Sequence, residues 1–161
     1  MATEYTYRVS AWWASGRTGL AKCDSAPNAI HFSEAPEFGG VEGRWTPEQL
    51  LLCSLAGCFT TAFQEMARVA KFQYTDLEVE VEAIVRRSKG TLNLTEIILR
   101  PQLTVRCDEE CEMGLNLLRR AKAVSRISRA VTVPQTFEPR VEAPRPIAAN
   151  WHEEPVLKLP V

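Results

Sequence analysis

The sequence lacks the features that would assign it to a membrane or nucleic-acid-binding class. It contains no uninterrupted apolar run of about 18 residues, the length that a membrane-spanning helix needs. Its 19 basic residues almost balance its 20 acidic ones, so a net charge of −1 gives no overall attraction to nucleic acid or anionic lipid. We therefore expect neither a membrane partner nor a nucleic-acid partner.

Histidine is scarce, and the cysteine count does not suit a disulfide framework. The two histidines lie far apart in the sequence and indicate neither a metal centre nor a Cys–His pair. The five cysteines are an odd number, so full pairing would leave one thiol over. The first five residues carry neither the basic nor the apolar segment of a secretion signal. We expect a cytoplasmic protein with free thiols, no metal and no cofactor.

The composition does provide enough apolar material for one globular domain. Of the 161 residues, 45% are hydrophobic and 24% are charged. Prolines recur after Pro134, which favours one strand and then an extended chain rather than a second domain. The prediction is a single domain over residues 1–142 and a proline-rich C-terminal tail over residues 143–161.

Local patterns in this domain predict a strand-rich α+β fold. Partial alternation of apolar and polar residues predicts a first strand, and a glycine-flanked turn leads to its return strand. A second alternating pair is joined by a turn at Lys89 and Gly90, with Pro101 at an edge or a bulge. The predicted elements are strands over 4–12, 20–24, 76–87 and 92–106, an irregular loop up to residue 45, and a helix that opens at 108–110.

The clearest helix start in the sequence lies at Thr46. Thr46 is a good N-cap, Pro47 suits the first helical position, and Gln49 completes a T-x-x-Q capping box. Residues 50–62 carry no charge, which is typical of a helix surrounded by protein. We expect this to be the central helix of the fold.

Cys58 lies within this apolar helix and is the strongest candidate for chemistry. A buried thiol is usually inert because burial raises its pKa, so reactivity requires a cation or a helix N-terminus beside the sulfur. Arg17 in the glycine-flanked turn is a candidate cation, and the Glu48 carboxylate would orient its guanidinium. Considered alone, each residue is typical of a surface charge. Ten helical residues separate Glu48 from Cys58 by about 15 Å. Either the helix breaks near Gly57 or another chain contributes.

Four segments form a recognisable set: the glycine-flanked arginine turn at 16–19, Pro-Glu-Phe-Gly-Gly at 36–40, Trp-Thr-Pro-Glu-Gln-Leu-Leu at 45–51 and Leu-Ala-Gly-Cys-Phe at 55–59. Together they resemble the OsmC/Ohr family, the osmotically inducible and organic hydroperoxide resistance proteins. The resemblance extends from about Tyr5 to Val141. It implies antiparallel sheets packed around a central apolar helix, and an intertwined homodimer with active sites at its interface. It also implies that Arg17 is the activating arginine, Glu48 its carboxylate partner and Cys58 the peroxidatic cysteine.

The sequence departs from this family at Ser125, where the second cysteine of the family would stand. Serine cannot form the disulfide that normally restores an oxidised peroxidatic cysteine. Cys53 is about 7.5 Å along the helix from Cys58 and faces elsewhere. Cys107 and Cys111 flank a helix start, where we interpret them as structural or incidental, and the pattern does not place Cys23. The resemblance therefore implies regeneration by an external thiol or dithiol.

The function that follows from the resemblance is reduction of an organic hydroperoxide to an alcohol. Aromatic residues near the motifs belong to the core by default, but some of them would line an apolar pocket for the organic part of the substrate; these are Phe38, Trp45, Phe59 and Phe63. One alternative is a non-catalytic protein that binds a small apolar or thiol-reactive ligand. Another is a purely structural, stress-induced partner protein.

Overall fold

The chain forms two β-sheets and three α-helices within residues 4–144, which are the residues that the computed structural model describes. In chain order the elements are β1 (Ser10–Ser15), β2 (Thr18–Lys22), β3 (Ile30–Phe32), α1 (Pro47–Ala70), β4 (Asp76–Ser88), β5 (Thr91–Thr104), α2 (Cys111–Val124), α3 (Arg126–Ala130), β6 (Gln135–Phe137) and β7 (Arg140–Glu142). The first sheet has the order β1-β2-β3, and the second has the order β4-β5-β6 with β7 also on β5. The α+β prediction is confirmed.

The first sheet differs from the prediction in where β1 begins and in having a third strand, β3. β1 and β2 form the expected antiparallel hairpin, but β1 begins at Ser10 rather than at residue 4, and β3 was not expected. The alternating side chains before β1 remain exposed, with Tyr5 at 76%, Tyr7 at 87% and Val9 at 68%. Because a strand needs a neighbouring strand, this segment stays irregular where the chain offers it no pairing partner.

Helix α1 begins as the sequence predicts. The Gln49 amide donates to the Thr46 hydroxyl at 3.2 Å, and the Gln49 side-chain oxygen accepts from the Thr46 amide at 2.9 Å. Of the two alternatives, a helix break near Gly57 or a contribution from another chain, the break is excluded because α1 is continuous over Pro47–Ala70. Its buried stripe, Leu55, Phe59, Phe63 and Ala67, repeats every four residues and continues across Gly57.

Protein covers α1 on one face rather than on all sides. Its most apolar 18-residue window has a mean hydropathy of 1.3, and 22% of that window is buried within the chain. By length and composition alone, α1 is the one helix within residues 4–144 that could cross a membrane. The stripe that it does bury packs on the β4–β5 sheet and α2, as the core helix of a folded domain does.

The second sheet follows the alternation of the sequence. β4 pairs with β5 along its whole length in antiparallel register, with an irregularity between Ile84 and Val85. β5 also pairs in parallel with β6 and with β7. Pro101 pairs with Val79 and lies where β6 has ended and β7 has not begun. This position resembles an edge on one side of β5, so the missing N–H of proline leaves no acceptor unsatisfied.

A kink at Ser125 separates α2 from α3. Ser125 has an extended conformation, with φ −60° and ψ 111°, between the two helices. α2 inserts Leu117, Leu118 and Ala121 into the core, and α3 returns against α1. The chain after Pro134 then adds two short strands instead of the single one expected, and β7 ends at Glu142. Residues 145–161 of the predicted tail lie outside the described residues, so the tail stays a prediction.

We expect Thr46→Ala to lower the free energy of unfolding by about 1 kcal/mol, because the first turn of α1 loses its side-chain cap. Thr46→Ser keeps the hydroxyl and is expected to retain most of the stability. Urea unfolding at one fixed protein concentration measures both variants. Equal stability of Thr46→Ala and the wild type would contradict the role of the cap.

Candidate functional site

Cys58 lies on α1 at the point where α3 returns against it. Its sulfur accepts a hydrogen bond from the backbone N–H of Ile127, with an N–S distance of 3.5 Å. The side chain is partly exposed, and its thiol is free. A sulfur that is both accessible and hydrogen-bonded can react as a thiolate, in contrast to a cysteine sealed in a core.

The surroundings of Cys58 favour its ionised form. Burial alone would raise the pKa of the thiol, but the backbone N–H groups of Ile127 and Arg126, the Ser125 hydroxyl and the positive charge of Arg126 together bring that pKa below its ordinary value. Hydrogen bonds and a nearby cation act on the charged form directly, so they outweigh a partial desolvation. These groups all belong to one turn of the chain, at the start of α3.

Ser125 occupies the centre of this turn. Its side chain is fully buried, at 0% exposure, and its hydroxyl has no hydrogen-bond partner of good geometry among residues 4–144. The backbone of Ser125 is fixed from both sides, because its N–H donates to Ala121 at 3.0 Å and its carbonyl accepts from Arg129 at 3.1 Å. The residue that replaces the expected second cysteine therefore lies beside the Cys58 sulfur.

A cleft of about 300 Å³ opens beside Cys58. Its other lining residues combine apolar and charged side chains, and they are Thr61, Ala62, Glu65, Met66, Val124 and Arg126. This volume suits a small molecule.

Arg17 occupies the turn between β1 and β2, and the loop before α1 holds it there. Its guanidinium donates to the Phe38 carbonyl at 3.3 Å and lies over Gly39, whose φ of 81° suits glycine. The Ser33 hydroxyl donates to the Arg17 carbonyl at 2.7 Å and accepts from the Val41 N–H at 2.9 Å. Both the backbone and the side chain of Arg17 are thus attached to residues 33–41.

A single chain does not bring Arg17, Glu48 and Cys58 together. No ion pair joins Arg17 to Glu48 within residues 4–144. Glu48 lines a separate cavity of about 660 Å³ together with Phe38, whereas Cys58 lines the cleft beside α3. Because α1 is unbroken, Glu48 and Cys58 stay about 15 Å apart along its axis.

The four aromatic residues expected at a pocket are also dispersed. Phe59 and Phe63 are 0% exposed, and their rings pack against Phe137 and Tyr74, so assigning them to the pocket is a mistake for this chain. Their spacing of four residues places them on the buried stripe of α1. Phe38 lines the Glu48 cavity, and Trp45 lines a third cavity of about 510 Å³ beside Cys53.

The remaining cysteines have unrelated surroundings. Cys107 is exposed, and a contact with the Glu109 side chain raises its pKa. A hydrogen bond with Ser25 lowers the pKa of Cys23. In the part of the chain that the structure describes, no three metal-binding side chains of histidine, cysteine, aspartate or glutamate cluster together.

Sequence reasoning missed the contribution of Arg126. A run of basic residues that begins at Arg119 is typical of a solvated helix face, and nothing local indicates that Arg126 lies beside a sulfur 68 positions earlier in the chain. The available signal was Ser125, because the family resemblance places a residue that contacts the peroxidatic cysteine at that position.

We expect Ser125→Ala to raise the pKa of the Cys58 thiol, because the thiolate loses the hydroxyl beside it. The pH dependence of the alkylation rate, followed at Cys58 by peptide mass spectrometry, measures this change. Ser88→Ala is the control, since that exposed serine ends β4 and is not among the residues that lower the pKa of Cys58. An unchanged profile in Ser125→Ala would contradict the assigned role.

Comparison with known proteins supplies the family. Residues 40–140 match the sequence model of the OsmC-like proteins. The uncharacterized protein YmaD of Bacillus subtilis is 26% identical over 134 residues, which cover 81% of this chain and 89% of YmaD.

Solved structures agree with the fold. An OsmC-like protein of unknown function from Vibrio cholerae superposes with a TM-score of 0.74 at 18% identity, covering 84% of this chain and 99% of that one. An organic hydroperoxide resistance protein from Elizabethkingia anophelis has a TM-score of 0.69 at 23% identity, covering 89% and 100%. The family match spans more than half of the sequence, and the chain therefore belongs to the OsmC/Ohr family.

Proposed function

We propose that this protein reduces organic hydroperoxides to alcohols, with Cys58 as the peroxidatic thiol and an external thiol as the reductant. The observation that carries the proposal is the position of the Cys58 sulfur, which faces backbone N–H groups and the Arg126 charge at the mouth of a cleft. Family membership supports it, and so does the structural likeness to proteins named for organic hydroperoxide resistance.

In the proposed reaction, the Cys58 thiolate attacks the outer oxygen of the hydroperoxide. An S–O bond forms, the O–O bond breaks, and the leaving alkoxide takes up a proton to become an alcohol. Cys58 is left as a sulfenic acid, oxidised by two electrons. With Ser125 at the second-cysteine position, the chain does not resolve this intermediate there, so reducing equivalents must come from outside.

Arg17 and Glu48 take part in this proposal from a second copy of the chain. A continuous α1 keeps Glu48 away from the Cys58 of its own chain, and Arg17 is attached to the loop that precedes α1. In a homodimer, the β1–β2 turn of one chain, which carries Arg17, can approach the Cys58 of the other chain. There the arginine would bind the peroxide and stabilise the thiolate, while Glu48 orients the guanidinium.

Uncovered apolar surface supports the homodimer. The first sheet packs within itself and makes no extensive contact with the helices or the second sheet of residues 4–144. Large apolar side chains on and near it are exposed, with Trp12 at 47%, Trp13 at 61% and Trp45 at 48%. A sheet is stabilised by burying one face, and α1 fully buries only the stripe of Leu55, Phe59, Phe63 and Ala67 in a single chain.

A cytoplasmic location belongs to the same proposal. The proposed cycle needs a supply of reduced thiols, and reducing compartments keep such thiols available. All five cysteines are free in the structure, as such a compartment would leave them.

We expect consumption of cumene hydroperoxide in the presence of a dithiol, and we expect Cys58→Ser to abolish it because the attacking sulfur is lost. Cys53→Ser is the matched control on the same helix and retains turnover. Peroxide consumption is followed by a colorimetric assay. No turnover with any monothiol or dithiol would overturn the peroxidase and favour a ligand-binding protein.

We expect mixed dimers to recover activity that neither parent has. Arg17→Ala and Cys58→Ser are each inactive, but one of the two sites in their heterodimer combines an intact arginine from one chain with an intact cysteine from the other. Random exchange of subunits in a dimer should restore about a quarter of the wild-type turnover. Mixtures that stay inactive after verified exchange would contradict a site shared between chains.

A further inference from the structure

The cleft beside Cys58 is distinct from the cavity that contains Glu48, and once the alcohol product has left, it is free to receive a second ligand. We propose that this cleft is the docking site of the reductant and that it selects small thiols carrying a carboxylate, which Arg126 binds. The inference rests on the proposed function, because a reductant is needed only once Cys58 has been oxidised.

The thiols on or near the helices are too far away to act as an internal reductant. Cys53 lies five residues before Cys58 on the continuous α1, about 7.5 Å along its axis, beyond the usual Cα separation of a disulfide. Cys107 and Cys111 lie at the start of α2, whereas the Ser125 kink that contacts Cys58 lies at its end. The helix between them is about 20 Å long. None of these three thiols reaches the Cys58 sulfur, and the cleft gives a thiol from solution a path to it.

The charges around the cleft favour an anionic ligand. Arg126 is exposed and forms no ion pair within residues 4–144. The Glu65 carboxylate is instead paired with the guanidinium of Arg68 at 2.6 Å. The positive charge of Arg126 is therefore not neutralised by an ion pair at the mouth of the cleft, where the guanidinium can form a charge-assisted hydrogen bond with a carboxylate. The apolar side chains of Ala62, Met66 and Val124 line the cleft, where the short carbon chain of such a ligand can pack.

The buried Ser125 hydroxyl lies beside the Cys58 sulfur but forms no hydrogen bond of good geometry in the reduced protein. A buried hydroxyl that is poorly satisfied is costly, so a better-placed acceptor is expected in a working state of the protein. The oxygen of a Cys58 sulfenic acid would provide that acceptor. Because Ser125 is not among the residues that line the cleft, an oxygen held toward its hydroxyl leaves the Cys58 sulfur accessible from the cleft.

Reduction then proceeds in two balanced steps. The incoming thiolate attacks the Cys58 sulfur, an S–S bond forms, the S–O bond breaks, and the oxygen leaves as water after taking up a proton. A second thiolate attacks the sulfur of the bound reductant, releases the two reductant molecules as one disulfide, and restores the Cys58 thiolate. Two thiols are oxidised while the sulfenic acid is reduced by two electrons.

The selectivity of the cleft can be measured without peroxide. The full-length protein is treated with an anionic disulfide, 5,5′-dithiobis(2-nitrobenzoate), or with the cationic disulfide cystamine, and peptide mass spectrometry measures the rate of mixed-disulfide formation at Cys58. We expect the ratio of the anionic to the cationic rate to fall about threefold to fivefold in Arg126→Gln. The ratio cancels any change in thiolate fraction, which acts equally on both reagents. Arg129→Gln removes the same charge from α3 outside the cleft and should leave the ratio unchanged.

A second experiment distinguishes a failure of this inference from a failure of the proposed function. Cys58 is oxidised with one equivalent of cumene hydroperoxide, and its sulfenic acid is then reduced with 3-mercaptopropionate or with cysteamine. Faster reduction by the carboxylate thiol, lost in Arg126→Gln, is the expected result. Equal rate ratios in the wild type and Arg126→Gln would overturn the docking site. Failure to form any sulfenic acid, with the exchange ratio intact, would overturn the peroxidase but leave the selectivity of the cleft established.

Discussion

The hydrogen bonds that reach the Cys58 sulfur from the first turn of α3 are the interaction on which the site depends. Without them, partial burial would raise the pKa of the thiol and leave an inert side chain. They exist because the chain kinks at Ser125 and directs the N–H groups of Arg126 and Ile127 back toward α1. The kink is fixed in turn by α2, whose apolar residues belong to the same core as the buried stripe of α1. Thiol chemistry and core packing are therefore coupled in this fold.

The continuity of α1 is the second constraint, and it divides the candidate residues between two places. One end of the helix carries Glu48 near the loop that holds Arg17, and its middle carries Cys58 against α3. In a single chain, the groups that stabilise the Cys58 thiolate lie at one place, and Arg17 and Glu48, the candidates for binding the peroxide, lie at another. The proposed homodimer would bring these two places together, and the exposed apolar side chains of α1 and of the first sheet are consistent with it.

Much of the fold was predictable because its signals are local. The capping box at Thr46 and Gln49 and the alternation along β4 are patterns within a few residues, and both appear in the structure. The contact between Cys58 and Ile127 joins residues 69 positions apart, which no local pattern encodes. The aromatic residues at 59 and 63 were ambiguous, since helical spacing fits a core and a pocket equally well until the packing partners are known.

Reaction with a hydroperoxide distinguishes Cys58 from the other four cysteines, because a thiol that faces N–H groups and a cation should react faster than one that is merely exposed. The full-length protein is exposed to one equivalent of cumene hydroperoxide with a sulfenic-acid-specific label present, and the labelled peptides are quantified by mass spectrometry. We expect the label to be concentrated at Cys58, although Cys53 and Cys107 are more exposed and the pKa of Cys23 is also lowered. Label distributed according to exposure, with Cys58 no more reactive than those two, would contradict it.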